Sequence, residues 1–176
     1  PMFDLFEQAW WSYRSVILIN ITVSAVICVL FSFAWLQNRS YKVFGWYALN
    51  SMFWALFLAT ALKTSAWPFS SSVNLSRANG LIYAGFVISF CIVALRLGEL
   101  RLTRLEKLLW AIVIASSLCI LLVPEQWFYL TTVLAALFTA INVAVCLWFP
   151  WHAWRSRKME QMVFGACIPI VMLFAV

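Results

Sequence analysis

Six mostly apolar stretches, residues 16–36, 44–62, 81–97, 108–123, 127–148 and 162–176, divide this chain, and polar or charged residues gather between them. At about 1.5 Å per helical residue, about 20 residues cover the roughly 30 Å hydrocarbon core of a bilayer. The pattern therefore predicts an all-α fold, a polytopic transmembrane helical bundle. Five spans are complete and the sixth is truncated, so the chain is expected to form part of a six- or seven-helix bundle. Residues 1–14, PMFDLFEQAWWSYR, place Phe3, Phe6 and Trp10 at helical spacing beside Asp4 and Glu7. They are expected as a separate amphipathic segment in the headgroup region, ahead of a transmembrane bundle over 15–176, with Trp10, Trp11 and Tyr13 as anchors. Acids come first there, unlike the basic start of a signal peptide. Residues 63–79, KTSAWPFSSSVNLSRAN, read as the longest loop, because Pro68 and three consecutive serines oppose helix continuation. The final run is expected to continue past Val176, since fifteen residues fall short of a crossing.

The cations give the spans a direction. Arg39 and Lys42, then Arg96, Arg101, Arg104 and Lys107, then Arg155, Arg157 and Lys158 fall in alternate connections, nine in all. The opposite side holds Arg14, Lys63 and Arg77. Short loops rich in Lys and Arg stay cytoplasmic, so the N-terminus is expected outside. The same distribution accounts for the net charge of +6 as topology signal, and nucleic acid is not expected as a partner.

Composition supports the bilayer as solvent: 65% of residues are hydrophobic and 10% charged, against about 25% charged in soluble domains. Cys28, Cys91, Cys119, Cys146 and Cys167 each sit in a different apolar run, without CxxC spacing, and read as small buried hydrophobes. There is no phosphate-binding glycine loop, HExxH or GxSxG, so this stretch is not expected to be an enzyme. No metal and no cofactor are predicted. The single histidine, His152, reads as an interfacial residue in FPWHAW, with a haem ligand as the lesser alternative. No acid or base lies near the middle of a span, where proton relays and ion paths place them. Arg96 and Glu99, three residues apart, are positioned to pair on one helical face. The expected reading is nevertheless a snorkelling arginine beside a solvated glutamate, with the pairing as the lesser alternative.

Uncharged polar groups inside the spans are the remaining candidates: Asn20, Asn50, Ser51, Ser89, Ser116, Ser117, Thr139 and Asn142. Most are expected to turn inward and bond neighbouring helices. Trp46, Asn50 and Trp54 recur at four-residue intervals and share a face. A small hydrophobic ligand would then meet Asn50 and Asn142 as orienting groups and Trp46, Tyr47, Trp54 and Tyr83 as walls.

FGWYALNSMFWALFLATAL in the second span, WPFSSS after it, FCIVALRLGELRLTRLEKLLW and AWRSRKMEQMVFG together resemble the bacterial seven-transmembrane receptors with diverse intracellular signalling modules. The resemblance implies a membrane sensor whose signal reaches a histidine kinase or diguanylate cyclase domain beyond residue 176, or a response regulator. It also implies a place in a bacterial inner membrane and action as a homodimer, and it carries over no catalytic residue. The alternatives are a small transporter or channel component, a membrane-embedded enzyme acting on lipid or quinone, and a stand-alone scaffold.

Overall fold

A computed structural model describes residues 2–62, 71–99, 103–124, 129–159 and 161–166. Every regular element among them is helical: α1 (Met2–Gln37), α2 (Lys42–Ala61), α3 (Ser72–Leu97), α4 (Thr103–Leu122) and α5 (Tyr129–Ser156). All five carry stretches long and apolar enough to cross a bilayer. The chain is an all-α helical bundle and a membrane protein. The expected sixth span is described only over residues 161–166, which are helical.

Three boundaries differ from the sequence reading, each for a local reason. The segment expected to lie apart at 1–14 continues into the first span, because no glycine or proline interrupts Met2–Gln37. The side chains of Trp10 and Trp11 lie outside the described residues. The expected loop at 63–79 ends early. Ser71 accepts a hydrogen bond at Oγ from the Asn74 N–H (3.2 Å), capping α3 nine residues before the predicted start at 81. Ser71 and Ser72 thus open a helix. Finally, α5 passes through Pro150 to Ser156. That proline removes one backbone donor and leaves the Cys146 carbonyl without its usual partner.

The chain forms two compact units, Pro1–Phe86 and Val87–Val176, divided within α3. In the first, α1 and α2 form an antiparallel hairpin. Trp54 Nε1 donates to Asn20 Oδ1 (3.3 Å), Phe31 stacks on Tyr47 (4.7 Å) and Trp35 covers Gly45, so the contacts run in opposite directions along the two helices. The pairs Thr60–Asn79, Phe57–Tyr83 and Trp54–Phe86 make α2 and the start of α3 antiparallel as well. Gly85 accommodates the tip of Phe53, since an added Cβ would lie 2.7 Å from its Cζ. Gly85→Ala is therefore expected to cost about 1–2 kcal/mol through overpacking, and Phe53→Leu in the same chain to restore about half. Detergent unfolding of the four variants in the cycle measures this. Equal losses with and without Phe53→Leu would contradict the contact.

In the second unit, residues 87–95 are buried on every face of α3, which suits a helix apolar all round. Phe90 and Ala94 pack on Phe149 and Ala153 of α5, with Phe164 edge-on to Phe149 at 5.1 Å. Gly165 allows the 161–166 stretch to approach Pro150 and Ala153, where an added Cβ would come within 3.3 Å. In contrast, α1, α4 and α5 expose long apolar faces, including Val26, Leu30, Ile114, Leu118, Val143 and Leu147. In a chain of this composition those faces belong in lipid.

Candidate functional site

The six residues expected around a ligand divide between the units. Trp54 and Tyr83 share one aromatic cluster with Phe57 and Phe86, with centroids 4.9–6.3 Å apart. Tyr47 belongs to another, stacked on Phe31 beside Phe44. Trp46 lines a groove near the α1–α2 turn, and Asn50 is half-buried on α2. Asn142, in the second unit, is buried on α5 and accepts a weak hydrogen bond from the Cys146 thiol (3.9 Å). Several other in-span polar groups act locally. Thr22 and Thr139 donate to carbonyls four residues back, and Thr60 donates to Phe57 O and approaches Asn79 Oδ1 at 2.7 Å.

The densest polar arrangement in the second unit lies where α3 and α5 end together. The last carbonyls of a helix have no intrahelical partner, and at α3 a residue far along the chain supplies one. Gln161 Nε2 donates to Leu97 O at 2.7 Å, while its Oε1 accepts from Ser156 Oγ. Gln161 is only 4% exposed, so both ends of its amide are used where water is scarce. Gly98 is not the residue with positive φ; the chain turns instead at Glu99, φ 57°. Gly98 meets a packing need, since an added Cβ would lie 3.2 Å from Ala94 O and 3.6 Å from His152 Cδ2. The left-handed region is unfavourable for a residue with a Cβ. It is held here by the Glu99 N–H donating to Arg96 O and by an ion pair with Lys158. Arg157, with φ 54°, makes the corresponding turn after α5.

That turn rules out the alternative Arg96–Glu99 pairing, and the expected snorkelling arginine beside a solvated glutamate is corrected too, since each residue has another ion-pair partner. Glu99 has left the helix, so i,i+3 geometry no longer holds. Arg96 instead reaches Glu106 of α4 at 2.9 Å, half-buried. The contact is single-point: Arg96 Nε and Glu106 Oε1 are buried without a partner among the described residues. His152 stacks on Trp148, ring centroids 5.2 Å apart, and the Arg155 guanidinium lies 5.7 Å from the Trp151 ring. Arg104, Lys107, Arg155, Arg157 and Lys158 are exposed, and Arg101 lies outside the described residues. Among the described residues, no three His, Cys, Asp or Glu side chains gather as a metal site.

Sequence reasoning missed Gln161, Ser156 and Glu106. Gln161 stands one residue before the last apolar run, in MEQMVFG, where an amide reads as loop. Only the packing of residues 161–166 against α5 brings it to α3. The chain matches no protein-family model, no curated protein and no solved structure.

Proposed function

We propose that this chain is the membrane-embedded input part of a bacterial signalling protein, passing a change in the bilayer or a bound hydrophobic ligand to a cytoplasmic kinase or cyclase. The observation that carries the reading is the Gln161–Leu97 contact, which ties the segment after α5 to the end of α3. Around it lie two ion pairs, one largely exposed and the other single-point. An exposed pair contributes about 0–1 kcal/mol, so exchange of the Lys158–Glu99 pair for other partners costs little. An input module needs such an element, with two arrangements a few kcal/mol apart and a stimulus that favours one. The cation distribution supports a cytoplasmic position for this junction and an outer N-terminus. The exposed apolar faces support a lipid partner, and a homodimer is the assembly such receptors use. The pairing of Asn20 with Trp54 and of Thr60 with Asn79 supports packing rather than a polar pore, so the transporter reading ranks second.

The test uses spin labels at Lys107→Cys and Met159→Cys, both exposed in the second unit, after replacement of the five native cysteines by alanine, in nanodiscs of short- and long-chain phosphatidylcholine. Two distance populations are expected, with a ratio that changes with bilayer thickness and shifts further with Gln161→Leu. One unshifted population in every condition would overturn the reading.

A further inference from the structure

The turn between α1 and α2 is closely bonded. Asn38 N–H donates to Ala34 O, Ser40 N–H to Asn38 Oδ1, Tyr41 N–H to Asn38 O and Lys42 N–H to Ser40 O, all at 3.1–3.3 Å. Stacking of Tyr41 on Phe44, and of Phe31 near Phe44, holds the start of α2 against α1. Trp35 lays the face of its indole over Gly45: a Cβ there would meet three ring atoms at 3.2–3.3 Å. These constraints leave a groove of about 460 Å³ lined by Trp35, Arg39, Lys42, Gly45, Trp46 and Leu49. Of these, Arg39 and Lys42 are exposed, and neither has an acidic partner among the described residues.

We propose that this groove binds one acidic phospholipid, its phosphate between Arg39 and Lys42 and its upper acyl chain against Trp35, Trp46 and Leu49. Charge and depth select this occupant. The membrane-length stretches Tyr13–Gln37 and Lys42–Thr60 meet at this turn, which puts the groove at the boundary between hydrocarbon and headgroups. Indole rings favour that depth, having an apolar body and one polar N–H. A guanidinium fork and an ammonium beside it suit a phosphodiester, and basic pockets between helices recognise anionic headgroups. A soluble anion would gain nothing from the indole and leucine walls. A second copy joined by two-fold symmetry would bring the same cationic patch against itself. The proposal requires only that α1 and α2 cross a bilayer, and it stands apart from the signalling reading.

The experiment places the purified chain in phosphatidylcholine vesicles and adds phosphatidylglycerol with brominated acyl chains, reading the quenching of tryptophan fluorescence. Brominated phosphatidylcholine is the reference. Wild type should show a quenched fraction that saturates at low phosphatidylglycerol content, where the reference quenches in simple proportion. Each cation contributes about fivefold to such an attraction, so Arg39→Gln with Lys42→Gln should raise the half-saturating content about 25-fold. Arg104→Gln with Lys107→Gln, which removes two exposed cations of the other unit, should leave it unchanged. Gly45→Leu keeps both cations but fills the groove, and should remove the saturable fraction while far-ultraviolet circular dichroism stays that of a helical protein. Retained preference in the Arg39/Lys42 variant, equal loss in the Arg104/Lys107 variant, or a saturable fraction surviving Gly45→Leu would each overturn the proposal. Quenching that declines as the protein-to-lipid ratio rises would identify a second copy as the occupant, with the same consequence.

Discussion

Phe149→Ala is expected to lower the unfolding free energy by about 3 kcal/mol, measured by denaturing-detergent titration in micelles with circular dichroism as the readout. Phe149 is 0% exposed, enclosed by Phe90, Ala94 and Ala153, with Phe164 edge-on. Emptying such a site in a water-soluble core costs about 3–5 kcal/mol, part of it for transfer from water and part for the cavity. In a bilayer the transfer part shrinks, because the unpacked side chain still meets hydrocarbon. The lost dispersion contacts remain, which places the expected value at the lower end. Phe149→Leu, which keeps most of the volume, should cost about 1 kcal/mol. Leu147 is the internal control: two residues away on the same helix and 72% exposed, its change to alanine should fall within about 0.5 kcal/mol. Similar losses at Phe149 and Leu147 would mean that the packing face of α5 is assigned wrongly.

The second large effect is expected at Gln161. Gln161→Leu keeps the side-chain volume but leaves the Leu97 carbonyl without its donor, while Ser156 Oγ still has Ala153 O at 3.0 Å. One orphaned buried acceptor corresponds to about 1–3 kcal/mol. Gln161→Glu separates shape from chemistry. An ionised carboxylate accepts from Ser156 but cannot donate to Leu97 O, so at neutral pH the loss should equal or exceed that of leucine. When protonated, the introduced carboxyl has an O–H to donate. Its folded-state pKa is therefore raised above the unfolded value of about 4.3. Stability of this variant should be greatest below that value and fall as pH rises through the folded pKa. The wild-type amide does not titrate and lacks this dependence. A pH-independent loss in Gln161→Glu would show that Leu97 O does not need a donor.

Much of the architecture was legible because the bilayer leaves few choices. Backbone polar groups in hydrocarbon must be bonded within the segment, so an apolar run of crossing length becomes a helix almost regardless of its residues. That logic found all five helices, and the breaks at Asn38 and Gly98 lie close to their predicted ends. It failed where the same residue type has two uses. Ser71 read as loop and serves as a cap. The fifth span read as ending at residue 148, and α5 continues through Pro150 to Ser156. Pairing at the junction was less legible still. Arg96 had Glu99 as its nearest acid in sequence, and the left-handed turn at Glu99 moved that carboxylate to Lys158, leaving Arg96 to Glu106.

By itself the sequence determined the fold class, the number of described membrane-length helices and the side-to-side bias of the cations, because hydropathy and charge act on each segment separately. Only the tertiary structure decided which polar groups meet. Asn20 with Trp54, Trp35 over Gly45 and Gln161 beneath Leu97 are contacts between helices, and each requires a rotation about the helix axis that apolar runs of nearly uniform hydropathy do not encode. Rotation is set instead by where a glycine admits a ring and where an unpaired carbonyl finds a donor, which are properties of two helices together.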